Sequence, residues 1–146
     1  MKIKGYPLEQ NEDATQFVFF SVGNRGRIMK AIVISPYDRH RWNLAFGDVG
    51  PDLEIDDRVT TNNNDVAKVL GTVAQAAMLF SERYPERSLV IFPVDDKRKR
   101  LYNLVFRRKI EEIQGAFVVL GKRRKRWEWY NPDVEYDAFE FSHKKH

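Results

Sequence analysis

The chain has 146 residues, 42% of them hydrophobic, with ten Phe, six Tyr, three Trp and no cysteine. That is about one domain's worth of chain with ample apolar mass for a core, so bulk disorder, a disulfide framework, a thiolate zinc site and a cysteine nucleophile are all excluded. The formal net charge of +4 is unevenly placed: residues 97–126 hold twelve Lys and Arg against two Glu, a net of +10, whereas 1–96 and 127–146 are each net −3.

Residues 1–16 are polar apart from Tyr6 and Leu8 and predict a loosely ordered segment. They hold no apolar run of signal-peptide length, and nowhere does the chain approach the ~20 apolar residues that span a bilayer. A cytoplasmic protein that engages no membrane is expected. Phe17-Val18-Phe19-Phe20-Ser21-Val22 reads as a strand, and Gly23-Asn24-Arg25-Gly26 as a turn, because Gly and Asn tolerate positive φ. Arg27 to Ser35 is the return strand of that hairpin, and Pro36 ends it. Trp42 to Phe46 reads as a third strand, Gly50-Pro51 as a turn, and Leu53 to Thr61 as a fourth strand.

Asn62-Asn63-Asn64-Asp65 opens the clearest helix, since Asn and Asp side chains accept from free first-turn N–H groups. Val66, Val69, Leu70, Val73, Ala77, Phe80 and Tyr84 then recur at three- and four-residue steps as one buried stripe, which Pro85 stops. Leu89-Val90-Ile91-Phe92 suits a central strand buried on both faces. Asp95-Asp96 caps a second helix from about Lys97 to Gln114, with Leu101, Leu104, Val105, Ile110 and Ile113 as its apolar side. Ala116 to Leu120 is a further strand. Arg126–Tyr130 and Tyr136–Phe141 alternate aromatic with charged residues and read as a final pair around Asn131-Pro132-Asp133. The expectation is a single α/β (α+β) domain over 1–146: a mixed, mostly antiparallel twisted sheet with two main helices. The segment 53–94 is long enough for a parallel crossover.

The basic segment is the first candidate site. Lys97-Arg98-Lys99-Arg100 begins the second helix and Arg107-Arg108-Lys109 lies two turns on, so Arg100 and Arg107 share a ridge. Lys122-Arg123-Arg124-Lys125-Arg126 occupies a hairpin turn and is followed by Trp127 and Trp129. Arg98, Arg100, Arg107, Arg123, Arg124 and Lys125 are the candidate anion-binding cations, because clustered cations neutralise phosphates and release counterions. Trp127 is a candidate stacking residue. Nucleic acid and an acidic protein both fit such a surface. So does a solvated helix face and turn with the tryptophans in the core.

The remaining motifs are weaker. The Asn62–Asp65 helix start is a potential anion site, although Asp65 already neutralises the helix dipole there and simple capping suffices. The acidic stretch Asp48, Asp52, Glu54, Asp56 and Asp57 lacks calcium-loop spacing and contains no His, so no metal is expected. His40, His143 and His146 form no hydrolytic set with Ser and Asp.

The order of elements from Leu53 to Ile113 resembles the central part of the GCN5-related N-acetyltransferases. Asp96-Lys97-Arg98-Lys99-Arg100-Leu101-Tyr102-Asn103-Leu104-Val105-Phe106 is similar to the Leu-Tyr helix of that family. The resemblance implies acetyl-coenzyme A as cofactor, held near Asn62, Asn63 and Asn64, and Tyr102 as the general acid toward the departing thiolate. This chain has Thr61-Asn62-Asn63-Asn64-Asp65 where that family has a glycine-containing pyrophosphate loop. Asp56-Asp57, Asn62 to Asp65, Lys68-Val69-Leu70-Gly71-Thr72-Val73 and Arg100-Leu101-Tyr102 also resemble a family of short bacterial proteins of unknown function, which implies a bacterial origin and no known activity. On the residues alone, a non-enzymatic binding module for an anionic partner stands first, and an acetyltransferase-like enzyme second.

Overall fold

The computed structural model describes residues 4–50, 55–56 and 65–144. After a two-residue edge strand, β1 (Glu9–Gln10), the expected hairpin forms as β2 (Gln16–Gly23) and β3 (Gly26–Pro36), in register from Gln16↔Val33 to Gly23↔Gly26. β4 (Arg41–Val49) pairs with β3 and also with a short β5 (Ile55–Asp56). The rest of the strand expected over 53–61 lies outside the described residues. α1 (Val66–Arg83), β6 (Ser88–Ile91), α2 (Asp96–Ala116), β7 (Phe117–Arg123), β8 (Arg126–Trp129) and β9 (Ala138–His143) follow. The strands join in one sheet of order β1-β2-β3-β4-β6-β9-β7-β8, with β5 beside β4. Among the described residues every pairing is antiparallel except β4–β6. The α+β class, with a mixed, mostly antiparallel sheet and two main helices, is therefore the observed one. No helix among the described residues is long and apolar enough to cross a membrane.

Two details differ from the sequence expectation. The strand that enters the parallel crossover through α1 is β4, one strand earlier than expected. The final two strands do not pair with each other: β8 folds back on β7 at the sheet edge, while β9 inserts between β6 and β7. Composition explains the exchange. Ala138, Phe139 and Phe141 of β9 are buried and belong in the middle of the sheet, whereas Arg126 and Trp129 of β8 are exposed and suit an edge.

Alternation along the strands sends one set of side chains to the helices. Phe17 and Phe19, Ile32 and Ile34, Leu44 and Phe46, Leu89 and Ile91, Phe139 and Phe141, and Phe117 and Val119 all lie in one core with both helices. Ring contacts tie the layers together: Trp42 to Phe80 of α1 at 5.6 Å, Phe46 to Tyr102 of α2 at 5.9 Å, and Phe106 to Phe139 at 4.7 Å. The α1 stripe is as expected, with Val69, Leu70, Val73, Ala77 and Phe80 buried. In α2 the buried face is Tyr102, Asn103, Phe106 and Ile113, while Leu101 and Val105 only flank it. Asn103 turns inward because its amide holds a loop. It donates to the Tyr136 carbonyl at 2.9 Å and accepts from the Tyr136 N–H at 2.8 Å.

The N-terminal segment is docked rather than loose. Tyr6 is buried, its N–H donates to Thr72 Oγ1 at 2.7 Å, and its hydroxyl donates to Asp65 Oδ2 at 2.6 Å. Ser21 donates to the same carboxylate. Asp65, the N-cap of α1, thus accepts from β2 and the N-terminal segment and makes no side-chain bond to its own helix. A side chain at Gly5 would meet the Thr72 backbone at 2.8 Å, so glycine is what allows this approach.

Candidate functional site

Register fixes where the two basic clusters lie. Ile91 near the end of β6 faces Phe139 near the start of β9, and Ala138 faces Lys122 near the end of β7. The β7–β8 turn and the start of α2, which follows β6 after a short loop, therefore occupy the same end of the sheet. Arg107 sits two turns down α2, roughly 10 Å along its axis from Arg100, where its charge acts on the phenol of Tyr130.

Carboxylates sort the candidate cations. Asp95, the N-cap of α2, accepts from the Arg98 N–H at 2.8 Å and pairs with the Arg98 guanidinium. The Arg98 N–H, followed by its charge, holds the Asp95 carboxyl below the usual aspartate range. Arg123 binds Glu128 at 2.8 Å, which lowers that carboxyl, and Glu128 also accepts from the Tyr136 hydroxyl at 3.0 Å. Arg98 and Arg123 are thus engaged within the chain. Arg100, Arg107, Arg124 and Lys125, together with Lys122 and Arg126, have no ion pair among the described residues.

The β7–β8 turn has unusual backbone. Arg123 pairs with Arg126, and the two residues between them, Arg124 and Lys125, have φ of 51° and 64°. That is the left-handed pair a type I′ hairpin turn requires, a position where Asn-Gly is the favourable choice. A long cationic side chain there is strained by about 1 kcal/mol or more per residue. The tip thus holds two uncompensated charges in a conformation that a glycine would adopt freely.

The opposite parity of the strands faces away from both helices. On that face the register aligns Phe20 with Met29, Val33 with Ala45, Asn43 with Val90, Val90 with Glu140, Glu140 with Leu120, and Lys122 with Trp127. Tyr37, Phe92 and Trp127 gather here. Tyr37 lies 5.1 Å from Phe92, Lys122 Nζ is 5.6 Å from the Trp127 ring and 6.0 Å from Phe92, and the Arg41 guanidinium is 5.6 Å from Trp127 and 5.7 Å from Tyr37. Trp129, on the same side of β8, is 75% exposed. Neither tryptophan of β8 is in the core, which removes the reading that placed them there. Arg41 itself is held by Asp38 at 2.6 Å and by Glu140 at 3.6 Å.

A second concavity lies on the helix side. β4 and β6 pair only from Arg41↔Ser88 to Asn43↔Val90. Beyond that point a cavity of about 190 Å³ lies between them, lined by Ala45, Phe46, Ile91, Phe92, Arg98 and Tyr102. A larger one, about 570 Å³, shares Phe46, Arg98 and Tyr102 and is lined also by Lys97, Arg100 and Asp65 at the starts of both helices. Tyr102, 7% exposed, borders both. Asn62, Asn63 and Asn64 lie outside the described residues. Among the described residues no group of three or more His, Asp and Glu is placed to hold a metal ion.

The sequence model of a family of unknown function, DUF6934, matches residues 2–144. The chain belongs to that family. No curated protein and no solved structure is significantly similar to the chain. The basic turn, the paired α2 start and the aromatic face all fall inside the matched residues. Sequence reasoning located the turn and its tryptophans but missed Tyr37, Phe92 and Arg41. The available signal was strand parity, which sends Phe92 to the side opposite Ile91.

Proposed function

We propose that this member of the family is a non-enzymatic binding module for nucleic acid, engaged through its phosphates. The observation that carries this reading is the β7–β8 tip. Five consecutive cations stand there, and two of them occupy strained left-handed positions without a carboxylate partner among the described residues. Backbone strain of this kind concentrates at functional sites, and unpaired clustered cations release counterions when they meet phosphates. Arg100 at the same end of the sheet extends the field, while Arg98 and Arg123 position Asp95 and Glu128. An acidic protein would have to match this charge with carboxylates. A polyphosphate backbone supplies it at regular spacing, and a cytoplasmic location goes with that ligand.

Fluorescence anisotropy with labelled duplex and single-stranded oligonucleotides tests the reading. Affinity falls with salt at a log–log slope of about −0.9 per phosphate neutralised on duplex or about −0.7 on single strands. Reversing Arg124 and Lys125 to Glu weakens binding to all sequences alike, because phosphate contacts carry no sequence information. Absence of any binding at low salt overturns the proposal.

A second reading rests on the diverging parallel strands. The resemblance to acetyltransferases implies a cofactor cleft between the strand near 53–61 and the strand near 89–92, with Tyr102 facing it; most of the first lies outside the described residues, and Tyr102 borders a cavity between β4 and β6. The start of α1 fits the anionic part of acetyl-coenzyme A poorly, since Asp65 sets a carboxylate at its N-cap. Lys97 and Arg100 of α2 are the cations available to it. Calorimetry with millimolar coenzyme A decides: no heat of binding removes this reading whatever the fold.

A further inference from the structure

We infer that the helix-free face of the sheet, around Trp127, Trp129, Tyr37 and Phe92, is a stacking platform that makes the ligand single-stranded nucleic acid. The inference rests on the proposed phosphate-binding role of the β7–β8 tip and names the class of nucleic acid it takes.

Three observations lead to it. The first is exposure: Trp129 is 75% and Tyr37 50% exposed, on a face that neither helix covers among the described residues. Exposed rings that gather in one patch, unlike rings scattered singly, mark an interaction surface. The second is arrangement. Tyr37 and Phe92 pack ring to ring at 5.1 Å, Lys122 links Phe92 to Trp127, and Trp129 continues the row along β8. Bases one phosphate apart need such a series of ring faces, with cations between them. The third is charge complementarity. Lys122 lies among the rings, and Arg124 and Lys125 stand at the turn between Lys122 and Trp127, so the cations edge the aromatic patch on the strand that carries it. Duplex DNA or RNA keeps its bases stacked inside and has no use for exposed indoles. An unpaired strand presents both a phosphate backbone to the tip and free base faces to the platform.

The experiment uses the whole chain with a labelled single-stranded oligonucleotide and the duplex of the same sequence, in parallel, for the wild type, Trp129→Ala, Trp127→Ala, Trp127→Phe and the Arg124→Glu/Lys125→Glu pair. Stacking on an aromatic side chain predicts a loss of about tenfold in single-strand affinity for each alanine variant, with duplex affinity unchanged. Trp127→Phe retains most of the binding, and single-strand binding quenches tryptophan fluorescence in the wild type. Trp129 is exposed enough that its alanine variant keeps the wild-type melting temperature, so its result stands even if Trp127→Ala loses stability. If Trp129→Ala and Trp127→Ala bind as the wild type does, and single strand and duplex bind equally while the charge reversal still weakens both, the platform is refuted and the phosphate-binding role survives. If the wild type binds neither nucleic acid, both fall together.

Discussion

Phe17, Phe19, Ile32, Leu89 and Phe139, which point toward the helices, are at most 1% exposed, whereas Val22 and Trp129 on the other side of the same sheet are 60% and 75% exposed. Val22 lies on β2, three residues beyond Phe19, and Trp129 on the edge strand β8. The covered face is tied to sequence by packing: a ring on one strand must meet a ring on a helix, as Trp42 meets Phe80 and Phe106 meets Phe139 and Phe141. Among the described residues no helix packs on the open face, yet it holds aromatic and cationic residues. The difference separates what the fold needs from what it leaves free for a ligand. At the centre of the sheet the open face nearly closes, since Val90 is fully buried and Glu140 is 9% exposed.

The comparison breaks most severely at Val73. This residue is 4% exposed on α1 and packs within the shared core. Val73→Asp buries a charge with no partner, which costs several kcal/mol and unfolds the domain. A circular dichroism melt that matched the wild type would place α1 off the sheet.

Gly121 is the next test, because it belongs to the covered side by a single hydrogen atom. A methyl group there would lie 2.4 Å from the Tyr136 ring, which is fully buried and whose hydroxyl bonds Glu128 and accepts from the Asn131 N–H at 2.9 Å. Gly121→Ala therefore destabilises by about 1–3 kcal/mol through overpacking. It also loosens Glu128, and with it Arg123, so phosphate binding at the tip weakens alongside the melting temperature.

Smaller, and opposite in sign, is the effect of relieving the turn. Replacing Arg124 with Asn and Lys125 with Gly gives the β7–β8 turn the residues its backbone prefers. Stability rises by about 1–2 kcal/mol while nucleic-acid affinity drops. A variant both more stable and still fully binding would show that the two cations are not the contact.

How much of this was legible in the sequence varied with distance along the chain. The α1 stripe was legible because Val69, Val73 and Phe80 repeat at a helical period that needs no partner to be seen. The α2 phase was not. Leu101 and Val105 look as apolar as Tyr102 and Phe106, and what turns the helix is Asn103 gripping the Tyr136 backbone 33 residues away. The β7–β8 tip was legible as a run of charge next to two indoles, but its left-handed backbone was not, since Arg-Lys carries no turn signal. The platform was the least visible part. Tyr37, Phe92 and Trp127 come from three separate segments, and only the insertion of β9 between β6 and β7 sets their strands at the spacing that brings them together.

The smallest expected effect concerns Glu140, an acidic group on the open face. Burial pushes its carboxyl above the ordinary glutamate range, and the charge of Arg41 opposes this only in part. A raised pKa means that the folded state holds the proton more tightly than the unfolded chain does. The resulting stabilisation is fully present below the ordinary glutamate pKa and is lost as pH rises through the higher folded value. At neutral pH the ionised carboxylate is therefore a standing penalty. Glu140→Gln removes that penalty, and Asp38 still holds Arg41. The variant has a slightly higher melting temperature than the wild type at pH 7, and the gap closes as the pH falls into the range where the wild-type carboxyl is protonated. Single-strand affinity rises as well, because a negative charge is gone from beside Arg41, which lies against Trp127 and Tyr37. A variant less stable at pH 7, recovering toward the wild type at acidic pH, would make the Arg41–Glu140 ion pair the dominant interaction and assign Glu140 to the fold rather than to the open face.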